Sequence, residues 1–591
     1  MKDFLKYVLA TLVGIVLAGI VFIIVGIVSI VGIFASSDSE TKVPDNAIFE
    51  LKFDGNIVER NEDNPLKKIF VENYKTYGLD DILSSIKKAK ENEKIKGIYL
   101  ESSLLASSSF ATNEAIRRAL LDFKESGKFI VAYADQYTQG SYYLASVADK
   151  VIGNPQGSLS WHGLASEPVF YKEFLDKLGI QMQVFKVGTY KSAVEPFTST
   201  QMSEANREQV TVFISDIWNR MVQEISESRN IPADSLNAYA DKLMDLIPAE
   251  EYLKCGMVDT LIYKSNVSKY LKQLTDIPED EDLKTLLLDD MINVKRSVPK
   301  NKSGNALAVY YAYGEIDPNG GLTPTGIDNI NSKKVAKDLA GLCKNKDIKA
   351  IVLRVNSPGG SAYGSEQIWN EVRKIKGVKP IIVSMGDYAA SGGYYISCAA
   401  DTIVAEATTL TGSIGIFGMF PNASNLLTNK LGIHFDVVKS NKMSDFGSQS
   451  RPLNEQERTV MQNYINHGYA TFVKRCADGR HMTTEAIEKI AEGRIWTGER
   501  AKDLGLVDVI GGLDTAIDIA AKAAGIENYS VLNYPAKENI LSVLINTEKD
   551  RMVKSKLQNE LGEYFTKFQF LKNLENADPV QSRLPFDLNI K

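Results

Sequence analysis

Apolar and polar positions divide this chain into stretches of different kinds. Residues 7–34 carry no charge over 28 positions, where about 20 apolar residues suffice to cross a bilayer. The apolar core of a secretory leader is shorter, about 7–15 residues, so this run predicts a retained transmembrane anchor. Lys2 and Lys6 precede it, and Asp38 and Glu40 follow it. By the positive-inside rule the N-terminus is then cytoplasmic and the body lies outside the cytoplasm. Ala10, Gly14 and Ala18 form a small-residue face able to pack on another helix.

Beyond a polar linker at 36–46 the pattern changes. Short apolar runs at 98–100, 129–132 and 151–152, and again at 351–355, 381–383 and 402–404, alternate with helical periodicity. That alternation predicts α/β domains with crossover connections. Near the C-terminus Val553, Leu557, Leu561, Phe565, Phe568 and Leu571 recur at spacings of three and four, which predicts an amphipathic helix.

The two sets of strands belong to an internal repeat. Ile95-Lys-Gly-Ile-Tyr-Leu100 matches Ile348-Lys-Ala-Ile-Val-Leu353, and Tyr142-Tyr143 with Ala148-Asp149 matches Tyr394-Tyr395 with Ala400-Asp401, at spacings of 252–253 residues. Leu178-Gly-Ile180 matches Leu431-Gly-Ile433, and Gly256-Met-Val-Asp259 resembles Gly505-Leu-Val-Asp508. A period this long excludes a solenoid. The chain therefore divides into an N-terminal stub and anchor (1–36), a first α/β domain (45–295), a polar linker (295–305), a second related domain (305–530) and a helical tail (531–591).

Composition narrows the chemistry. The chain is 591 residues long, too long for a single core, with 44% apolar and 24% charged residues, which are globular values. A net charge of −6 gives no electrostatic basis for nucleic-acid binding. Cys255, Cys343, Cys398 and Cys476 are widely spaced, without CxxC or a nearby histidine, so neither a disulfide framework nor a metal site is expected. No cofactor is implied. With only His162, His434, His467 and His481 in the chain, a histidine base is disfavoured. His434 falls in the strand-like run 433–438 and reads as structural.

The candidate chemistry lies where the copies differ. Asp387-Tyr-Ala-Ala-Ser391-Gly-Gly-Tyr-Tyr395 follows the apolar run 380–385 and opens a helical pattern. Such a strand-to-helix joint can hold a serine where backbone N–H groups favour negative charge. The aligned position in the first copy is Gln139. The second copy also carries Asn356-Ser-Pro-Gly359-Gly360 after its strand, where the first has Ser103-Leu-Leu-Ala-Ser107. Glycine N–H groups can face a developing oxyanion because no side chain blocks the approach. A nucleophile and a glycine turn present together in one copy only point to function there.

A serine hydroxyl needs a base, and a lysine held neutral by burial can serve. The candidates are Lys439 and Lys442 in the second copy and Lys186 and Lys191 in the first. Lys191 lies among small and apolar neighbours in Val187-Gly-Thr-Tyr-Lys191-Ser-Ala-Val-Glu-Pro196, and its counterpart is Ser444. Lys186 and Lys439 align with each other, which favours a shared structural or surface role for them.

With Ser391, Gly359-Gly360 and Lys191 together, the chain resembles the signal peptide peptidase A family in its long, duplicated form. The motifs at 387–395, at 188–197 and at Thr411-Gly-Ser-Ile-Gly-Ile416 carry the resemblance. It implies two tandem crotonase/Clp-protease-like domains behind one transmembrane helix, and a membrane-anchored serine endopeptidase with a Ser–Lys dyad. Ser391 would be the nucleophile, Lys191 the general base and Ser413 the residue that orients the lysine amine. The N–H groups of Gly359 or Gly360 and of Gly392 would form the oxyanion hole. The implied substrates are remnant signal peptides, the implied assembly is a homotetramer, and the implied location is the bacterial cell membrane with the body on its outer side. Two rival readings are a crotonase-type acyl-transfer or thioester enzyme, and an inactive membrane scaffold.

Overall fold

The computed structural model describes residues 7, 14, 40–61, 76–101, 109–296, 301, 303–318, 329–537 and 580–583. Apart from Tyr7 and Gly14, the predicted anchor lies outside them. Among the described residues no helix is long and apolar enough to cross a membrane. The predicted tail helix at 553–571 also lies outside them.

The first domain is built on a six-stranded parallel sheet. Its spatial order is Thr260–Leu261, Lys150–Leu159, Phe129–Tyr137, Ile95–Glu101, Ala47–Lys52, Thr285–Leu286. The second domain repeats this order with Val509–Ile510, Thr402–Ala405, Ile381–Ala390, Ile348–Ser357, Ala306–Tyr313 and Ser530–Tyr534. Leu410–Gly412 and Ile495–Thr497 extend it beside the upper end of Ile381–Ala390. The copies share even a register slip: Ala47↔Ile95 is followed by Ile48↔Gly97, and Ala306↔Ile348 by Leu307↔Ala350. Both faces of each sheet are covered by helices, so the strands are nearly continuous apolar runs.

The retained repeat residues hold each sheet in the same way. Asp149 Oδ2 accepts the Ile130 N–H at 2.8 Å, and Asp401 Oδ2 accepts that of Ile381 at 2.9 Å. Tyr142 donates its hydroxyl to the Met257 carbonyl at 2.9 Å, as Tyr394 does to Leu506 at 3.0 Å. Asp259 accepts the Val151 N–H and Asp508 that of Ile403, each at 2.7 Å. These buried polar groups must be satisfied in any copy of the fold, so both copies keep them whatever their chemistry.

Several contacts join the domains. The core of the first takes in Ala390, Leu410 and Ile495 of the second. Arg354 makes a buried two-pronged pair with Glu59, at 2.9 and 3.0 Å. Asp387 accepts the Thr112 N–H at 3.0 Å and the Thr112 hydroxyl at 2.7 Å, so a second-domain carboxylate caps the first-domain helix Phe110–Lys124.

A third sheet crosses this boundary, in the order Asn329–Asn331, Glu315–Asp317, Gly359–Ser361, Val580–Arg583, Phe417–Asn422, Gln181–Lys186. It draws on both domains and on the tail. Within the stretch predicted to be a helical tail, Ser530–Tyr534 reaches in as a parallel edge strand and Val580–Arg583 is an inner strand of the third sheet. The periodicity of the stretch between them could not signal strands so short. The predicted strand at 433–438 is a second difference: the segment is irregular, exposed along its length and in no sheet, and His434 is exposed with it. Its first-copy counterpart, Gln181–Lys186, is paired to Phe417–Asn422.

Candidate active site

Strand Ile381–Ala390 runs through the second sheet and passes into the short helix Gly392–Ser397, with Ser391 at the joint. The helix begins at Gly392, directly after the serine. Ser391 has φ 56° and ψ −112°, a conformation that costs a residue with a Cβ about 1–3 kcal/mol. Two backbone bonds hold it there: its N–H donates to the Gly412 carbonyl at 2.8 Å, and its carbonyl accepts the Tyr395 N–H at 2.8 Å. The side chain is fully buried. In the first copy Gln139 takes this position, and its amide bonds the backbone of residues 162 and 163, at 2.8–2.9 Å. That backbone is the counterpart of Gly415, whose carbonyl lies 3.4 Å from Ser391 Oγ. The first copy thus fills with a glutamine the space the second leaves to a hydroxyl.

Lys191 arrives from the other domain, on the segment after strand Gln181–Lys186. Its Nζ lies 2.8 Å from Ser391 Oγ, 3.1 Å from Ser413 Oγ and 3.4 Å from the Ser413 carbonyl. Glycines clasp the aliphatic stem: a Cβ at Gly493 would stand 2.6 Å from Lys191 Cβ, and one at Gly415 3.3 Å from its Cδ. The neighbouring backbone is fixed by Tyr190 N–H to the Glu492 carbonyl at 3.0 Å and by Gln209, which donates to Tyr190 O and Ser192 Oγ. Lys191 is completely buried, and burial alone pushes its amine well below a lysine's ordinary 10.5.

The other lysines stand apart. Lys186, Lys439 and Lys442 are exposed, and Lys439 is paired with Asp445 at 2.6 Å. Ser413 is buried at φ 48°, its N–H donated to the Arg494 carbonyl at 2.7 Å. Gly359 and Gly360 have φ of 108° and 149°, where glycine is favoured. A Cβ on Gly359 would stand 2.9 Å from the Gly392 nitrogen, so these two backbones border one small space. Gly360 faces the other way, against the backbone of Ile316.

The tail strand fills the remaining side. Val580–Arg583 lies antiparallel to both Gly359–Ser361 and Phe417–Asn422. Ser582 Oγ is 2.6 Å from Ser391 Oγ and donates to the Gly415 carbonyl at 3.3 Å. No periodicity or motif singled out Ser582. Gly493 was likewise missed, and Gly415 lay within the quoted motif at 411–416 without a role, since both leave room for a side chain distant in sequence. Asp387 was within the quoted motif but gave no sign of its interdomain partner.

Comparison with known proteins agrees with the duplication. The profile of peptidase family S49 matches residues 122–278 and 373–527, and that of Clp protease matches 322–410. Protease 4 of Salmonella typhi is 37% identical over 79% of this chain and 76% of its own length. Protease 4 of Haemophilus influenzae is 34% identical over 83% of each. A chloroplastic serine protease SPPA of Arabidopsis thaliana is 31% identical over 76% of this chain and 66% of its own.

Proposed function

The chain belongs to peptidase family S49 and is a serine peptidase, and from that premise we propose that Ser391 is its nucleophile and Lys191 its general base. The thioester-enzyme and scaffold readings fall away with the family assignment. One observation carries the proposed dyad: a completely buried lysine with a depressed pKa, 2.8 Å from a buried serine hydroxyl. A neutral amine can accept a proton where an ammonium cannot.

Lys191 Nζ takes the Ser391 proton as Oγ attacks a peptide carbonyl. The N–H groups of Gly359 and Gly392 hold the oxyanion, and Ser413 Oγ, 3.1 Å from Nζ, keeps the amine aimed. The ammonium then protonates the departing amine, leaving an acyl ester on Ser391. Water attacks this ester with Lys191 again as base. A fluorophosphonate should label the wild type and not Ser391→Ala. Labelling that persists in Ser391→Ala would disprove the assignment.

The substrates are remnant signal peptides and other membrane-associated peptides, and the body sits on the outer face of a bacterial cell membrane. The uncharged run 7–34 supports this, because an anchor and such peptides share one bilayer.

The enzyme assembles by head-to-tail contacts into a ring, with four subunits expected. The support is internal. Strand Gln181–Lys186 pairs with Phe417–Asn422, whereas its second-copy counterpart at 434–439 is exposed, with Val438 97% exposed. The first-copy counterpart of Phe417–Asn422, at 165–170, is half-exposed and makes only an isolated bridge at Ser166. A neighbouring subunit can repeat across the interface the pairing made within the chain, and such heterologous contacts close into rings. Val438→Asp should shift the sedimenting species towards monomer; an unchanged species would refute this interface.

A further inference from the structure

We propose that Gln209 is a positioning residue for the dyad: its side-chain amide ties the segment that carries Lys191 to the strand that supports Ser391 and Ser413. This rests on the Ser391–Lys191 reading above.

Gln209 lies in the second turn of helix Glu204–Arg229 of the first domain and is 1% exposed. Its Nε2 donates to the Tyr190 carbonyl at 3.1 Å and to Ser192 Oγ at 3.0 Å, the residues on either side of Lys191. Its Oε1 accepts the Ile495 N–H at 3.2 Å. Strand Ile495–Thr497 belongs to the second domain, so one amide closes the joint from both sides. A buried carbonyl needs a donor and a buried N–H an acceptor, and an amide supplies both from one branch point.

What the Ile495 end reaches sets the consequence, because residues 493–495 serve the site in succession. Gly493 stands against the Lys191 stem. The Arg494 carbonyl accepts the Ser413 N–H at 2.7 Å. Ile495 opposes Gly412 in an antiparallel pair, and the Gly412 carbonyl accepts the Ser391 N–H at 2.8 Å. Gln209 therefore fixes the backbone of the base relative to those of the nucleophile and of the serine that aims the amine. A lysine stem is flexible, so Nζ keeps its place at 2.8 and 3.1 Å from the two hydroxyls only while its backbone is held.

A further set of bonds stiffens the amide itself. Its Nε2 also lies 3.0 Å from Asn206 Oδ1, which accepts the Ser192 hydroxyl at 2.9 Å. Asn206 Nδ2 donates in turn to Glu195 Oε2 at 2.9 Å. Ser192, Asn206 and Glu195 are all buried.

The duplication supplies the contrast. In the equally long helix Glu455–Arg480 the place of Gln209 is taken by Val460. The first-copy counterpart of Ile495, three residues before the next helix, is Leu246. These two are 58% and 80% exposed. The fold does without the amide bridge in its other copy, as it does without the serine.

The test is steady-state kinetics and pH–rate profiles of the full-length Gln209→Met, Gln209→Asn and Lys191→Ala proteins. The substrate is an apolar peptide bearing a C-terminal aminocoumarin amide, and fluorophosphonate titration of Ser391 gives the active fraction. Methionine keeps the length and burial of glutamine and loses its bonds. Asparagine keeps an amide that is one methylene too short to reach both sides. Per active site, kcat of Gln209→Met should fall about 10–100-fold with KM unchanged, the usual penalty of a misplaced catalytic group. The limb on which activity rises with pH should move up by about one unit, because a loosened segment admits water to the amine and raises its proton affinity. Gln209→Asn should shift kcat and the limb in the same directions by less. Wild-type kcat per active site and an unmoved limb in both variants, even with a lower melting temperature, would make Gln209 a packing residue and overturn the proposal. A rise in KM equal to the fall in kcat would also overturn it, placing Gln209 in substrate binding. Wild-type turnover in Lys191→Ala would overturn the dyad itself.

Discussion

Lys191 Nζ lies 2.8 Å from Ser391 Oγ although the two residues are 200 positions apart and belong to different copies of a duplicated domain. Neither copy contains the pair: Gln139 stands where the first would need the serine, and Ser444 where the second would need the lysine. The two side chains meet only where the two domains dock.

Replacing Lys191 by alanine should lower kcat by about 10²–10⁴-fold, the usual contribution of a general base, with little change in KM. In the wild type, activity should rise with pH as the amine loses its proton, along a limb well below 10.5, because burial disfavours the ammonium. A pH–rate profile flat from mildly acidic to mildly alkaline pH would contradict a lysine base.

Lys191→Met should make the protein inactive but more stable. The folded state disfavours the ammonium while the unfolded chain binds the proton below 10.5, so the unfolded state holds more protons. Stability conferred at this position is therefore lost as pH falls. Thermal melts should show the gain of Lys191→Met growing from pH 9 to pH 6. A gain independent of pH would mean that the amine is not desolvated in solution.

Ser413→Ala removes one of the oxygens facing the amine and leaves the Ser413 carbonyl at 3.4 Å. Losing one such bond is worth about 1 kcal/mol, so kcat should fall about fivefold with KM unchanged. Steady-state kinetics on a peptide substrate would check this, and an equal rise in KM would assign Ser413 to substrate binding instead.

Gly359→Ala should abolish turnover out of proportion to its effect on folding. An alanine is strained at its φ of 108°, and its Cβ would stand 2.1 Å from the Ser582 carbonyl oxygen and 2.9 Å from the Gly392 nitrogen, in the space the oxyanion would need. Loss of an oxyanion donor costs about 2.7–4 kcal/mol, or about 10²–10³ in kcat. Soluble, cooperatively melting protein with activity down by at least that factor is expected, and near-normal kcat would remove Gly359 from the oxyanion hole.

The interface between domains carries its own pH dependence. Glu114 of the first domain accepts the Thr408 N–H and hydroxyl at 3.1 and 2.9 Å. Burial, with Glu406 and Glu224 nearby, pushes its carboxyl up to about 7. The folded protein thus binds a proton that the unfolded chain releases near 4.5, and stability falls as pH rises from about 4.5 through 7. A rise of this size is worth about 3 kcal/mol. Glu114→Gln should flatten that decline in denaturant titrations at pH 5 and pH 8; an unchanged slope would refute it.

Much of this molecule was legible in one sequence because duplication supplies its own comparison. Asp149 and Asp401, or Tyr142 and Tyr394, recur because each satisfies a buried backbone group of a parallel sheet, and that need is local to each copy. Ser391 and the glycine turn stood out because nothing in the fold required them twice. The exposed 433–438 segment misled: its pattern is that of a strand, but it pairs with none of the described sheets.

The sequence alone determined the α/β domains, their duplication and a serine held at a strand-to-helix joint, since these follow from periodicity and backbone chemistry within short windows. Tertiary structure decided which lysine is buried and which are solvated, because desolvation depends on what the other domain brings against the side chain. It also decided that Ser582 reaches the site. Four residues far along the tail carry no signal of their own until two strand edges, 162 to 224 residues upstream, offer them hydrogen bonds.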